Sequence, residues 1–192
     1  MSVKQAPTIE IYTEYTPNPE SLKFVSNRML LMNTSADFRD MESAKRSPLA
    51  EELFRMPFVK GVFITSNFVT ISKDAGFEWI EVIPQVKELL KTFIASGYEV
   101  LLPQAETAAP AADFAGSIEE KIINVLDTYV RPAVEMDGGN IRFKSYDEGK
   151  VTLILQGSCS GCPSSVLTLK SGIEGLLQKM VPEVKEVLAE AE

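Results

Sequence analysis

Histidine is absent from all 192 residues, and cysteine occurs only twice. Without histidine the chain has no Cys2His2 zinc site, no Ser–His or Cys–His nucleophile pair and no side chain that ordinarily titrates near neutrality. Long apolar runs are missing as well: none approaches the ~18 residues of a membrane span. The 19 basic residues are scattered through a chain of net charge −8. No Lys/Arg cluster with interleaved aromatics forms, which argues against nucleic acid as a partner. The first residues, Met1 to Pro7, carry neither a secretory apolar core nor an Arg-rich amphipathic presequence. The expectation is a cytoplasmic protein that does not enter a membrane. In a reducing compartment two neighbouring cysteines point to metal or redox chemistry more than to a structural bridge.

Those two cysteines stand in Gln156-Gly-Ser-Cys159-Ser-Gly-Cys162-Pro-Ser-Ser165, between a strand-like run (Val151 to Leu155) and a helix-like run (Val166 to Met180). Two thiols at this spacing can face one metal centre from a single turn. Gly157 and Gly161 admit backbone with positive φ. Pro163 occupies a position that a helix tolerates in its first turn. The start of that helix offers free N–H groups and partial positive charge beside both sulfurs, which favours the thiolate.

The pattern predicts an α+β protein of two small domains. Residues 1–102 read as a mixed α/β sheet domain. Strands are expected at Thr8 to Thr16, Leu22 to Val25, Met29 to Met32, Val59 to Thr65 and Phe68 to Ser72, the last two joined by Ser66-Asn67. Thr16-Pro-Asn-Pro-Glu20 is a turn. Ser47 caps a short helix with Pro48 in its first position. Glu78 to Ser96 carries an apolar helical stripe that includes Trp79, with Pro84 inside it and Gly97 as C-cap. Residues 103–116, rich in Ala and Pro, read as a linker.

Residues 117–192 then give α-β-β-loop-α with a possible terminal strand at Val184 to Leu188. Ser117 and Glu120 have capping-box spacing, and Ile118, Ile122, Val125, Leu126 and Tyr129 share one face of a helix ending before Pro132. Asp137-Gly-Gly139 is a turn, and Asp147-Glu-Gly149 joins a hairpin. Met136 and Met180 are assigned to the core, and the Glu-rich end from Glu183 to a solvated edge.

Four chemistries fit Cys159 and Cys162. An iron–sulfur cluster usually takes four thiolates, so one chain supplies half of a site and two chains must meet. A zinc half-site obeys the same arithmetic. A dithiol/disulfide oxidoreductase needs one chain only. A buried structural pair is disfavoured, because Gly/Ser-rich loops lie at surfaces. Spacing alone does not separate the first three. Against the oxidoreductase stand Pro163, which has no N–H to donate, and the position of the pair after a hairpin rather than after the first strand of a βαβ unit.

Gly157-Ser-Cys-Ser-Gly-Cys-Pro-Ser-Ser165 resembles the metal loop of the NifU C-terminal (Nfu) family. Tyr129-Val-Arg-Pro132, Asp137-Gly-Gly139, the hairpin and the helix after Pro163 follow in the same order as in that family, over Ser117 to Glu192. Thr16-Pro-Asn-Pro-Glu-Ser-Leu-Lys-Phe24 and Phe58-Val-Lys-Gly-Val62 resemble the Nfu N-terminal domain. The resemblance implies a non-enzymatic carrier or late scaffold that holds a [4Fe–4S] cluster between two protomers and passes it to apo-proteins, with a [2Fe–2S] form left open. Cys159 and Cys162 match the ligand positions one for one. The implied partners are a second copy when loaded, apo client proteins and an upstream cluster scaffold. Asn140 stands where many relatives have an acidic residue. Ser158, Ser160, Ser164 and Ser165 are expected either to donate to cluster sulfides or to cap the helix.

Overall fold

The computed structural model describes residues 8–32, 34–102, 116–158 and 163–191, with backbone alone at 163–165 and 191. The described residues form two compact units, each with its own sheet and its own core. The mixed α+β class agrees with the expectation. The expected linker, 103–116, lies outside the described residues except for Gly116.

The first unit contains β1 (Ile11–Tyr15), β2 (Ser21–Ser26), β3 (Ser35–Phe38), α1 (Met41–Ala44), α2 (Pro48–Phe54), β4 (Val59–Thr65), β5 (Phe68–Lys73) and α3 (Trp79–Ser96). Its sheet runs β1-β2-β5-β4-β3. Ser47 caps α2 by accepting the Ala50 N–H at 3.1 Å, and Pro48 takes the first turn. Helix α3 buries Val82, Val86, Leu90 and Phe93 on one stripe. It ends at Gly97, whose φ of 69° is a left-handed cap. Pro84 does not break it. The bond that Pro84 forgoes belongs to the carbonyl of Ile80, an exposed residue, where water can replace it.

One expectation fails here. Met29 to Met32 is not a strand. The amides of Leu30 and Leu31 both donate to one carbonyl, that of Ser66 in the β4–β5 turn, at 2.6 and 3.0 Å, and the segment joins no sheet. The strand is instead Ser35–Phe38, which buries only Ala36 and Phe38 and is too short and too polar to announce itself.

The second unit contains α4 (Ile118–Val125), a π-helical turn (Leu126–Val130), α5 (Arg131–Met136), β6 (Gly139–Asp147), β7 (Lys150–Gly157), α6 (Pro163–Met180) and β8 (Glu186–Ala191). Ser117 accepts the Glu120 N–H at 3.2 Å, while the Glu120 carboxylate accepts from Gly116 N–H. The first helical segment does not end before Pro132. Ile122, Leu126, Val130 and Val134 are all buried, at a strict spacing of four. A regular helix of ~3.6 residues per turn would rotate each of them by about 40° past the last. The wide π turn takes up that drift, puts Val130 rather than Tyr129 into the core, and lets Pro132 enter the first turn of α5. Met136 and Met180 are exposed, not core.

Strand β7 is central: β6 pairs with it antiparallel, and β8 pairs with it parallel. The terminal strand expected at Val184 to Leu188 runs Glu186–Ala191, so the Glu-rich end forms a paired edge strand. Its pairing makes β7-α6-β8 a crossover unit, so the cysteine loop does follow the first strand of a βαβ unit, and that argument against an oxidoreductase falls.

The β6–β7 turn holds Glu148 and Gly149 at φ 46° and 94°, the geometry of a tight hairpin. The Gly149 carbonyl accepts from Lys185 N–H at 2.7 Å and Glu186 N–H at 3.1 Å, locking the entry to β8. A Cβ at Gly149 would lie 2.9 Å from Lys185 carbons and 3.1 Å from the Glu183 oxygen. Gly149→Ala should lower stability by about 1–3 kcal/mol, read from the urea midpoint. Gly97→Ala, with open space around it, should cost less, about 1–2 kcal/mol. Equal losses would show that the close approach at Gly149 is not what constrains it.

Candidate metal centre

Cys159 and Cys162, with Ser160 and Gly161, lie outside the described residues. The structure defines the frame on either side of them. On the incoming side, β7 ends at Gly157, whose φ of 69° turns the chain out of the sheet opposite Gly139. Ser158 follows and is only 3% exposed. Its N–H donates to the Gly138 carbonyl at 3.4 Å, and its hydroxyl donates to the Asp137 carbonyl. The accepting turn is itself held by α5: Asp137 N–H donates to Ala133 at 3.2 Å and Gly138 N–H to Glu135 at 3.1 Å. Gly138 has φ 79°, which a β-carbon would resist.

Asp137-Gly-Gly139 is thus a turn, as expected, and it works through main-chain carbonyls as the anchor of the cysteine loop. Ser158, through its hydroxyl and its N–H, is a strut between the end of β7 and the turn. Sequence reading missed this, because a bond across 21 positions leaves no local signature. Below the loop, Asn140 and Gln156 are opposite each other in the β6–β7 ladder, both buried. The Asn140 side-chain oxygen accepts the Ile141 N–H at 2.7 Å.

On the outgoing side α6 begins at Pro163, as predicted, and Ile173 and Leu177 bury it in the core. Both ends of the loop are therefore pinned, one by Ser158 and one by the helix. The loop lies at the carboxyl end of a strand and the amino end of a helix in a parallel crossover, the place where backbone N–H groups and the helix dipole favour anionic groups. No acidic residue stands in the first turn of α6. In a chain with 27 acidic residues, none occurs between Glu148 and Glu174. The sequence itself carries that gap, and it keeps the carboxylates of neighbouring positions from repelling charge on a thiolate.

Among the described residues, no group of three or more His, Cys, Asp or Glu side chains assembles a metal site, and no helix is long and apolar enough to cross a membrane. Ser158→Ala should cost about 1 kcal/mol by removing the hydroxyl bond to Asp137. The urea midpoint checks this, and an unchanged midpoint would remove Ser158 as an anchor.

Residues 11–97 match the family model described as scaffold protein Nfu/NifU N terminal, and residues 122–188 match the NifU-like domain. The human protein named "NFU1 iron-sulfur cluster scaffold homolog, mitochondrial" is 39% identical over 178 residues, covering 92% of this chain and 70% of that protein. The protein of the same name from Drosophila sechellia is 45% identical over 181 residues, covering 92% of this chain and 63% of its own length. The chain thus spans less than two thirds of the fly relatives it matches. A solution NMR structure of a NifU-like protein from Saccharomyces cerevisiae is 29% identical with a TM-score of 0.48, covering 54% of this chain and 93% of that one. The expected cytoplasmic location is corrected by these relatives, whose names place them in mitochondria. By its two matched domains and by its human relative, the chain belongs to the Nfu family, named for iron–sulfur cluster scaffolds.

Proposed function

We propose that the chain is a mitochondrial iron–sulfur cluster carrier, not an enzyme, and that Cys159 and Cys162 of two protomers together hold one [4Fe–4S] cluster as cargo. The observation that carries the reading is the cysteine count. One chain has two thiols, both in the loop between β7 and α6 of the NifU-like domain, and a cubane ordinarily takes four. The pinned frame supports it. Ser158 and α6 hold the two ends of the loop, while the acid-free stretch and the helix start favour thiolate at both sulfurs. Transfer then needs no net redox change. A client thiolate enters at one iron as one loop thiolate leaves, and the step repeats until the cluster has moved. Residues 117–192 are the cluster domain, 103–116 the linker, and 1–102 a docking or specificity domain for clients or an upstream scaffold.

A second reading, thiol–disulfide exchange by the same pair, draws support from the βαβ position of the loop. Anaerobic reconstitution with iron and sulfide separates the two. The carrier should turn brown, bind about four iron per two chains and double its mass in solution. Cys159→Ala and Cys162→Ala should each abolish the colour. A loaded monomer, or colour retained in the double variant, would overturn the proposal. A colourless protein that reduces insulin disulfides would establish the alternative.

A further inference from the structure

In the first unit α2 and α3 pack side by side and leave an open groove of about 660 Å³ between them. Its walls are two helix faces. On α2, Pro48 stands one turn before the adjacent Glu51 and Glu52. On α3, Gln85, Glu88 and Thr92 line the rim, with Leu89 and Phe93 beneath them. Past the Gly97 cap, Tyr98 extends the apolar floor; it is 70% exposed, and its ring centre lies 6.0 Å from that of Phe93. An aromatic left this open at the end of a groove is unfinished packing that a partner can complete.

The charge on the groove is of one sign. Glu51, Glu52 and Glu88 line it and no Lys or Arg does. Arg55 pairs with Glu52 at 2.6 Å. Glu51 and Glu88 make no ion pair among the described residues. Lys87 and Lys91 neighbour Glu88 along α3 but take no part in the lining. An apolar floor between two acidic rims selects an occupant with the converse pattern: apolar side chains on one face and Lys or Arg on either flank. A second copy of this chain, at net charge −8, meets such a groove with repulsion. The open, helix-walled shape suits a helical segment laid along it.

We infer that this groove is a docking site for a basic amphipathic peptide segment of a partner protein. Glu51 and Glu88 receive its cationic flanks, and Leu89, Phe93 and Tyr98 receive its apolar face. The site lies in a different unit from the cysteines, so cluster binding does not require it.

The test is fluorescence anisotropy of the full-length apo protein with a labelled synthetic peptide that repeats Leu at helical spacing with Lys on both flanks. An isomer with Glu for Lys serves as the control. Saturable binding of the Lys peptide and none of the Glu peptide is expected. Glu51→Lys/Glu88→Lys should weaken binding by about tenfold or more. Thr92→Trp, which fills the groove without changing charge, should weaken it comparably. Glu20→Lys/Glu148→Lys, which alters net charge equally at exposed sites elsewhere, should leave it unchanged. Equal loss in both charge-reversal pairs would reduce the effect to general electrostatics and overturn the inference, as would no binding of the Lys peptide. If Glu51→Lys/Glu88→Lys instead changed the mass of the protein alone in solution, the occupant would be a second copy and the peptide assignment would fall. None of these outcomes bears on reconstitution at Cys159 and Cys162.

Discussion

The bond from Ser158 to the Asp137-Gly138 turn is the constraint on which the second unit depends. It ties the end of the central strand to the end of the preceding helical segment, across the hairpin that separates them in sequence. A Gly/Ser-rich loop carries few apolar side chains that could fix it by packing. The solution is to fix its ends. Ser158 is buried and doubly bonded at one end; α6 is seated in the core by Ile173 and Leu177 at the other.

That arrangement separates stability from chemistry. The core of the second unit lies between the sheet and its helices, with Ile141, Leu153, Leu155 and Val187 all buried. None of these residues supplies a ligand. Charge is arranged with the same economy. The acid-free stretch from Glu148 to Glu174 surrounds the thiols, and the acidic excess of the chain lies elsewhere, including the α2–α3 groove of the first unit.

Much of the fold was legible in residue pattern. Ser47-Pro48, the Ser66-Asn67 hairpin, the stripe of α3 ending at Gly97 and the β6–β7 hairpin all depend on contacts within a few positions. The errors share a cause. Ser35–Phe38 has two buried residues, too few for a period, and only its pairing with β4 makes it a strand. The π turn reads as an ordinary helix until four-residue spacing is weighed against burial. Met136 was assigned to the core by residue type, yet it lies 73% exposed at the end of α5.

For the candidate site, residue type and order pointed to Cys159 and Cys162, the two thiols of the chain, because thiol chemistry is carried by the side chains themselves. What the tertiary structure alone decided is where that loop stands. The parallel pairing of β8 with β7 turns a hairpin followed by a helix into a crossover with the loop at its mouth. A buried serine reaching the carbonyl of Asp137 gives the loop a fixed root. One is a backbone ladder and the other a side-chain hydroxyl meeting a main-chain carbonyl 21 positions away; both acceptors are main-chain groups that every residue carries, so neither pairing leaves a trace in the order of residues.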